Sequence, residues 1–334
     1  MIELKTPRGL SVAVPESPAE DPSPKFSAHD IASIKAYYDL NGYVIVKNLF
    51  DSQDCDSIRE LWDREVKPST EFIYRQATAK AERHVVNSKG WVMNPILNLQ
   101  SINPVSFPKF RQYAIGSFFA SKNLSQIFSS LIGASPKIVQ SMYFEGNSAT
   151  WEHQDSYYLD SETIGEMSAA WIALEDIQAH AGRFFICPGS HKIRLEDHGL
   201  YNNIAENHES YIASVVAKIK ELNLEIRAPI LNKGDVLFWN AWTIHGSLDS
   251  QDEKHSRSSI TCHVIPESKQ LLQLQTRLLN MPADVVGDMA ICRPKDLALM
   301  KNRAILSIET RFPKLFYALK KRAILHHLKK KVAH

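Results

Sequence analysis

No stretch of this 334-residue chain approaches the roughly 18 consecutive apolar residues that a bilayer-spanning helix needs. The N-terminus has no basic segment leading into an apolar core, so no secretory signal is read there. Cysteine is scarce. Cys55, Cys187, Cys262 and Cys292 lie far apart with no C-x-x-C pair, which argues against a disulfide framework and for reduced thiols in a cytoplasmic protein. An excess of one charge is also missing: 39 Lys and Arg face 37 Asp and Glu, and a net +2 gives no basic field for nucleic acid. The imbalance that exists is local. Residues 314–334 carry seven Lys/Arg and no acid, which leaves the rest of the chain at −5. Membrane contact through this tail is one reading, because Phe316, Leu319 and Ala323 share a face. That stripe fades afterwards, so a solvated, helical or frayed terminus is the expectation.

What is present is an ordinary globular composition, 44% apolar. Residues 1–26 hold five prolines and read as a flexible arm. A helix carrying Ile31, Ile34 and Tyr38 on one stripe should stop at Asn41-Gly42, before a buried strand at Tyr43–Val46. Asp51 can cap a second helix with Cys55, Ile58, Leu61 and Trp62 on one face. Residues 108–133 read as two helical pieces. From about 137 to 265 the texture is β: short runs at 137–144, 168–174, 183–187, 226–230, 235–240 and 258–265, with one helical insertion around Ile212–Leu222. This spacing predicts a mainly β fold with flanking helices, a two-sheet antiparallel jelly roll with the helices packed outside. The expected layout is the arm, a single domain over 27–313 and the basic tail over 314–334.

His153-Gln154-Asp155, with His245 92 residues later and Arg257 12 residues beyond it, carries the chemistry. Two imidazoles and one carboxylate are the set that holds a ferrous ion on one triangular face and leaves the other open. Residues two apart on a strand share a face, so His153 and Asp155 can reach one ion. The expected strand ends just before them, at a barrel mouth. Glycine beside His245 lets backbone and ligand approach closely. Arg257 has the two-pronged geometry a dicarboxylate co-substrate needs. Together these residues point to an oxygenase that consumes 2-oxoglutarate. His263 and His191 are read as structural. Tyr157, Tyr158 and Trp239 lie near the ligands in sequence and are candidates for either the substrate pocket or the packing of the mouth. Arg83 and His84 lie in a polar segment that could close over the site.

Several stretches occur in the order and at the separations of a known pattern: Trp151 through Asp155, Ala170 through Asp176, Gly182 through Lys192, His245-Gly246-Ser247 and Arg257 through His263. Over residues 30–270 the chain resembles the phytanoyl-CoA dioxygenase family of iron(II)- and 2-oxoglutarate-dependent oxygenases. The resemblance implies a double-stranded β-helix (cupin-like) fold with metal ligands His153, Asp155 and His245. It implies that Arg257 and Ser247 hold the distal carboxylate of 2-oxoglutarate, and that Trp171, Met142 and Gln154 line that pocket. A lysine of some members has no counterpart here, which leaves Asn98 or Gln100 to bond the co-substrate. The implied activity is dioxygen-dependent hydroxylation of a C–H bond in a small molecule, with release of succinate and carbon dioxide. The carboxylate at Asp155 favours this over halogenation. Desaturation or cyclisation by the same oxidant is the alternative, and an inactive metal-binding jelly roll is a third reading.

Overall fold

Tyr43-Val44-Ile45-Val46 contains no charged side chain, and it forms a strand buried on both faces. The computed structural model describes residues 1–195, 204–275, 277–320 and 322. Its central strands are β1 (Tyr43–Lys47), β2 (Pro136–Phe144), β3 (Thr150–His153), β4 (Ser168–Ala173), β5 (Phe184–Ile186), β6 (Val236–Asn240), β7 (His245–Ser247) and β8 (Ser259–Pro266). The large sheet runs β2-β8-β4-β6-β1, all antiparallel. Met289–Cys292 extends it beyond β2, and Lys25–Ser27 extends it beyond β1. The small sheet is β5-β7-β3. From β2 to β8 each successive strand changes sheet, so the chain winds back and forth across one interior.

The large sheet is covered on both faces, which is why its strands are buried along their length. On one face Ala170, Ile172, Phe238, Ile260, Cys262 and Val264 join a core with Leu124, Ile127 and Phe128 of the helix Lys122–Ile132. Phe128 meets Phe238 edge-on, with ring centroids 5.2 Å apart. Fully burying each such side chain stabilises the fold by about 1.5–3 kcal/mol. The other face, with Ala169, Trp171, Leu237 and Trp239, packs against Phe184 and Ile186 of the small sheet. The helices start and stop as their sequences predict. Asp51 accepts the Asp54 N–H at 2.7 Å, and the helix Ile31–Asn41 ends at Gly42.

Three expectations need correction. Residues 1–26 are not a flexible arm. Ile2–Lys5 and Ser11–Val14 pair as a hairpin whose Val12 and Val14 are buried with Phe185 and Leu248, on the outer side of the small sheet. The prolines obscured a short period-2 pattern, and Arg183 fixes the exit by donating to the Pro15 carbonyl at 2.6 Å. The run 226–230 is not a strand. Pro229 has no N–H to give, and only one bridge forms there, between Arg227 and Ile186. Finally, β3 does not end before His153 but at it, so Asp155 opens a short 3₁₀ turn, Asp155–Tyr157.

Candidate metal and co-substrate site

His153 ends β3 and His245 begins β7, and the two are directly paired across these antiparallel strands. Their rings are 4.3 Å apart. Gly246 permits this approach, because a Cβ there would fall 2.5 Å from both the Phe185 ring and the Thr150 carbonyl. The 3₁₀ turn swings Asp155 back, placing Oδ1 3.3 Å from His153 Nε2 and 3.5 Å from His245 Nε2. The three residues offer ligand atoms all within 4.8 Å of one another. His153 Nδ1 sits 2.8 Å from the Trp151 carbonyl and His245 Nδ1 2.9 Å from the Thr243 carbonyl. A carbonyl can only accept, so each Nδ1 carries the proton and each Nε2 lone pair is directed at the shared point.

The second oxygen of Asp155 is held from the large sheet. Trp239 Nε1 donates to Oδ2 at 2.7 Å, and His263 Nε2 lies 3.3 Å from the same atom. His263, Ala169 and Trp239 form one row across β8, β4 and β6. The small Ala169 in the middle leaves room for a carboxylate between its larger neighbours. His263 therefore contacts the ligand set rather than playing a purely structural part, and Trp239 orients Asp155 rather than lining an open pocket.

Burial lowers His245 to about 4, against the upward pull of Asp155. Burial also opposes ionisation of Asp155, but the neighbouring histidines hold its carboxyl well below the usual range. Asp155 is ionised, and the Trp239 N–H that donates to Oδ2 favours that state. A neutral imidazole beside an ionised carboxylate is the state that binds a divalent cation.

Arg257 enters just ahead of β8 and is 2% exposed. Burial lowers its guanidinium to about 9. Nη1 donates to the Gly182 carbonyl at 3.1 Å, while Nε has no partner. Among the described residues no carboxylate lies within ion-pair distance of it. The guanidinium sits over the rings of Phe144 and Trp171, at 5.3 and 5.8 Å. A buried, unpaired cation costs several kcal/mol, on the order expected for one desolvated ion, unless an anion joins it. Ser247 is tied to the same loop: its hydroxyl donates to Asn147 Oδ1 at 3.2 Å, and Asn147 Nδ2 donates to the Gly182 carbonyl at 3.2 Å. Gly182 has φ +77°, and a Cβ there would fall 1.9 Å from Asn147 Nδ2.

Met142, Thr261 and Trp171 form a second row, in register across β2, β8 and β4. The Thr261 hydroxyl is buried without a partner. Other expected residues are placed differently. The Gln154 side chain donates to the Ile193 and Trp242 carbonyls at 2.9 and 2.6 Å. Gln100 bonds Ser141 and the Cys292 carbonyl with both ends of its amide, and Asn98 Oδ1 accepts from the Ser141 N–H. Tyr157 is fully buried and stacked on Tyr211 at 3.6 Å, as packing of the mouth. Tyr158 stands edge-on to His153 at 5.6 Å, with its hydroxyl bonded to Trp151 Nε1 and His208 Nε2. Arg83 lies over Phe72, and His84 bonds the Val66 carbonyl near Arg75; neither is seen against the triad. His191 bonds the Asp39 carbonyl, a structural role as read.

Sequence reasoning missed His263, Thr261, Asn147 and Ala169. One signal was available. Arg257, Ser259, Thr261 and His263 alternate with Ile260, Cys262 and Val264, a polar face on a strand with no exposed side.

The sequence pattern of the family described as phytanoyl-CoA dioxygenase (PhyH) matches residues 38–258. The peroxisomal phytanoyl-CoA dioxygenase of Bos taurus is 24% identical over 263 residues, covering 75% of this chain and 74% of that protein. Phytanoyl-CoA dioxygenase 1 of Oryza sativa subsp. japonica is 24% identical over 260 residues, covering 69% and 86%. Among solved structures, the non-haem α-ketoglutarate-dependent carbocyclase SnoK from nogalamycin biosynthesis superposes with a TM-score of 0.52 at 17% identity, covering 74% of this chain and 89% of that one. EctD from S. alaskensis, with 2-oxoglutarate and 5-hydroxyectoine, gives 0.51 at 16% identity, covering 84% and 92%. At these identities the structures speak for a shared fold. With the family pattern covering most of the chain and three candidate ligand residues gathered at one point, the chain belongs to the phytanoyl-CoA dioxygenase family of iron- and 2-oxoglutarate-dependent oxygenases.

Proposed function

We propose that this protein hydroxylates an unactivated C–H bond of a small molecule, using Fe(II), 2-oxoglutarate and dioxygen. The observation that carries this reading is the pairing of two features on one interior face. Two Nε2 lone pairs and Asp155 Oδ1 converge on one point, and a buried Arg257 without an ion-pair partner stands just ahead of β8, the strand whose His263 contacts Asp155. The first fits a divalent cation; the second fits the far carboxylate of a short dicarboxylate. We read the sheet-to-sheet winding as a double-stranded β-helix, with residues 27–313 as one oxygenase domain.

In this reading His153, Asp155 and His245 hold the iron. Arg257 pairs with the distal carboxylate of 2-oxoglutarate, and the Asn147–Ser247 pair holds the loop that receives it. Met142 and Trp171 wall the pocket, and the Thr261 hydroxyl bonds the co-substrate between them. Gln154 acts through its backbone, which Tyr211 brackets with hydrogen bonds at 2.8 and 3.2 Å. Iron held there would supply the coupling of 2-oxoglutarate decarboxylation to substrate oxidation. The chain's own part is to orient the ligands, bury the carboxylate pocket and exclude water. Trp151, Tyr158 and His208 form the wall that meets the substrate. Four buried, free cysteines suit a reducing compartment such as the cytoplasm.

Desaturation or oxidative cyclisation is the second reading, favoured by the carbocyclase among the structural neighbours. A small-molecule screen read by succinate release, followed by product mass under ¹⁸O₂, separates them. Hydroxylation predicts a product carrying one ¹⁸O. A product lighter by two hydrogens and without label would replace hydroxylation by the alternative.

A further inference from the structure

The C-terminal helices, Met300–Arg311 and residues 313–320, have two unlike sides. The inward side is anchored by Glu309, only 3% exposed, which accepts from the Tyr74 hydroxyl at 3.0 Å, the Ala81 N–H at 3.1 Å and the Tyr317 hydroxyl. The outward side carries Ile305, Ile308, Phe312, Leu315 and Leu319, exposed by 45, 54, 54, 61 and 55%. Single exposed apolar residues need no explanation, but Ile305, Ile308 and Phe312 recur at three and four along the first helix and its cap, and Leu315 and Leu319 lie four apart on the second, so each helix carries an exposed apolar stripe. The exposed charges beside it, Lys301, Arg311, Lys314, Lys320 and Arg322, are all positive. The one acid of residues 299–322 is Glu309, which is turned inward.

We propose that this stripe docks on an anionic lipid membrane, lying in the interface. A second copy of the chain is the poorer occupant, because packing stripe to stripe would set these cations against their own kind. Anionic headgroups complement them while the five apolar side chains enter the acyl boundary. Among the described residues no helix is long and apolar enough to cross a membrane, so the contact is peripheral. The stripe differs from the one expected from sequence: Phe316 is half-buried, Phe312 and Leu315 take its place, and Ala323 lies outside the described residues.

The test is sedimentation of the full chain with phosphatidylcholine vesicles, with and without phosphatidylserine. The proposal expects about tenfold more protein on the anionic vesicles, declining as salt is raised. Ile308→Asp with Phe312→Asp should abolish pelleting on both vesicle types, and Lys314→Glu with Lys320→Glu should remove the preference for phosphatidylserine. These side chains are exposed, so the variants should melt with the wild type, and the salt dependence of wild-type pelleting tests the idea without any substitution. Equal partition onto both vesicle types, or pelleting indifferent to salt, would overturn it. So would a dimer seen by light scattering that Phe312→Asp dissociates, since that assigns the stripe to a second copy.

Discussion

At one end of the polar face of β8 His263 meets a carboxylate, and at the other end Arg257 meets none. The metal end is complete within the protein: His153 and His245 are each oriented by a backbone carbonyl, and Asp155 by Trp239 and His263. The Arg257 end keeps a guanidinium N–H and the Thr261 hydroxyl buried and unbonded. The difference fits the partners proposed for the two ends. A small cation brings no geometry of its own, so its ligands must be fixed beforehand. A dicarboxylate brings oxygens that satisfy donors left open for it, and those donors then cost the protein only while it is empty.

Breaking the metal end should have the larger effect. Asp155→Ala removes one ligand and strands the Trp239 N–H, so iron uptake in a dialysis assay and succinate release should both vanish; turnover that persists would take the carboxylate out of the ligand set. Arg257→Ala should act on the other end alone. It should raise the 2-oxoglutarate requirement on the order of a hundredfold, the loss expected for a buried charge-assisted pair. Iron affinity should be unchanged, and an unchanged requirement would move the carboxylate site elsewhere.

Between the ends the comparison sharpens. Trp239→Phe or His263→Leu keeps all three ligands but frees Asp155 to turn, so iron affinity should fall at least about tenfold while the fold melts cooperatively. Affinity at the wild-type level in both variants would make the row across Ala169 simple packing. Thr261→Val is nearly isosteric and removes one neutral hydrogen bond. It should weaken 2-oxoglutarate about three- to tenfold, and no change in a binding titration would leave that hydroxyl without a role.

These contrasts also explain what could be read from sequence. His153 and Asp155 stand two apart and His245 is marked by Gly246 and Ser247 beside it, so their chemistry is carried by residue type and short local patterns. Helix ends were legible for the same reason, as at Asp51 and Gly42, where the deciding contacts lie within four residues. The support of Asp155 was not legible. His263 is 108 positions away, and its contact depends on the registers β8-β4 and β4-β6 together with the small size of Ala169. The N-terminal hairpin was hidden because its partner surface, at Phe185 and Leu248, is remote in sequence. The commitment of the Gln100 amide was not legible for a related reason, since it bonds Ser141 and the Cys292 carbonyl on strands that sequence proximity does not reveal.

The most direct measurement is an anaerobic titration of metal-free protein with Fe(II), then 2-oxoglutarate, followed by visible absorption. One ferrous ion per chain should bind, and a weak charge-transfer band should grow only when 2-oxoglutarate is added, failing in Asp155→Ala and needing far more co-substrate in Arg257→Ala. Wild-type protein that takes up no iron, or that holds iron but gives no band at saturating 2-oxoglutarate, would contradict the account.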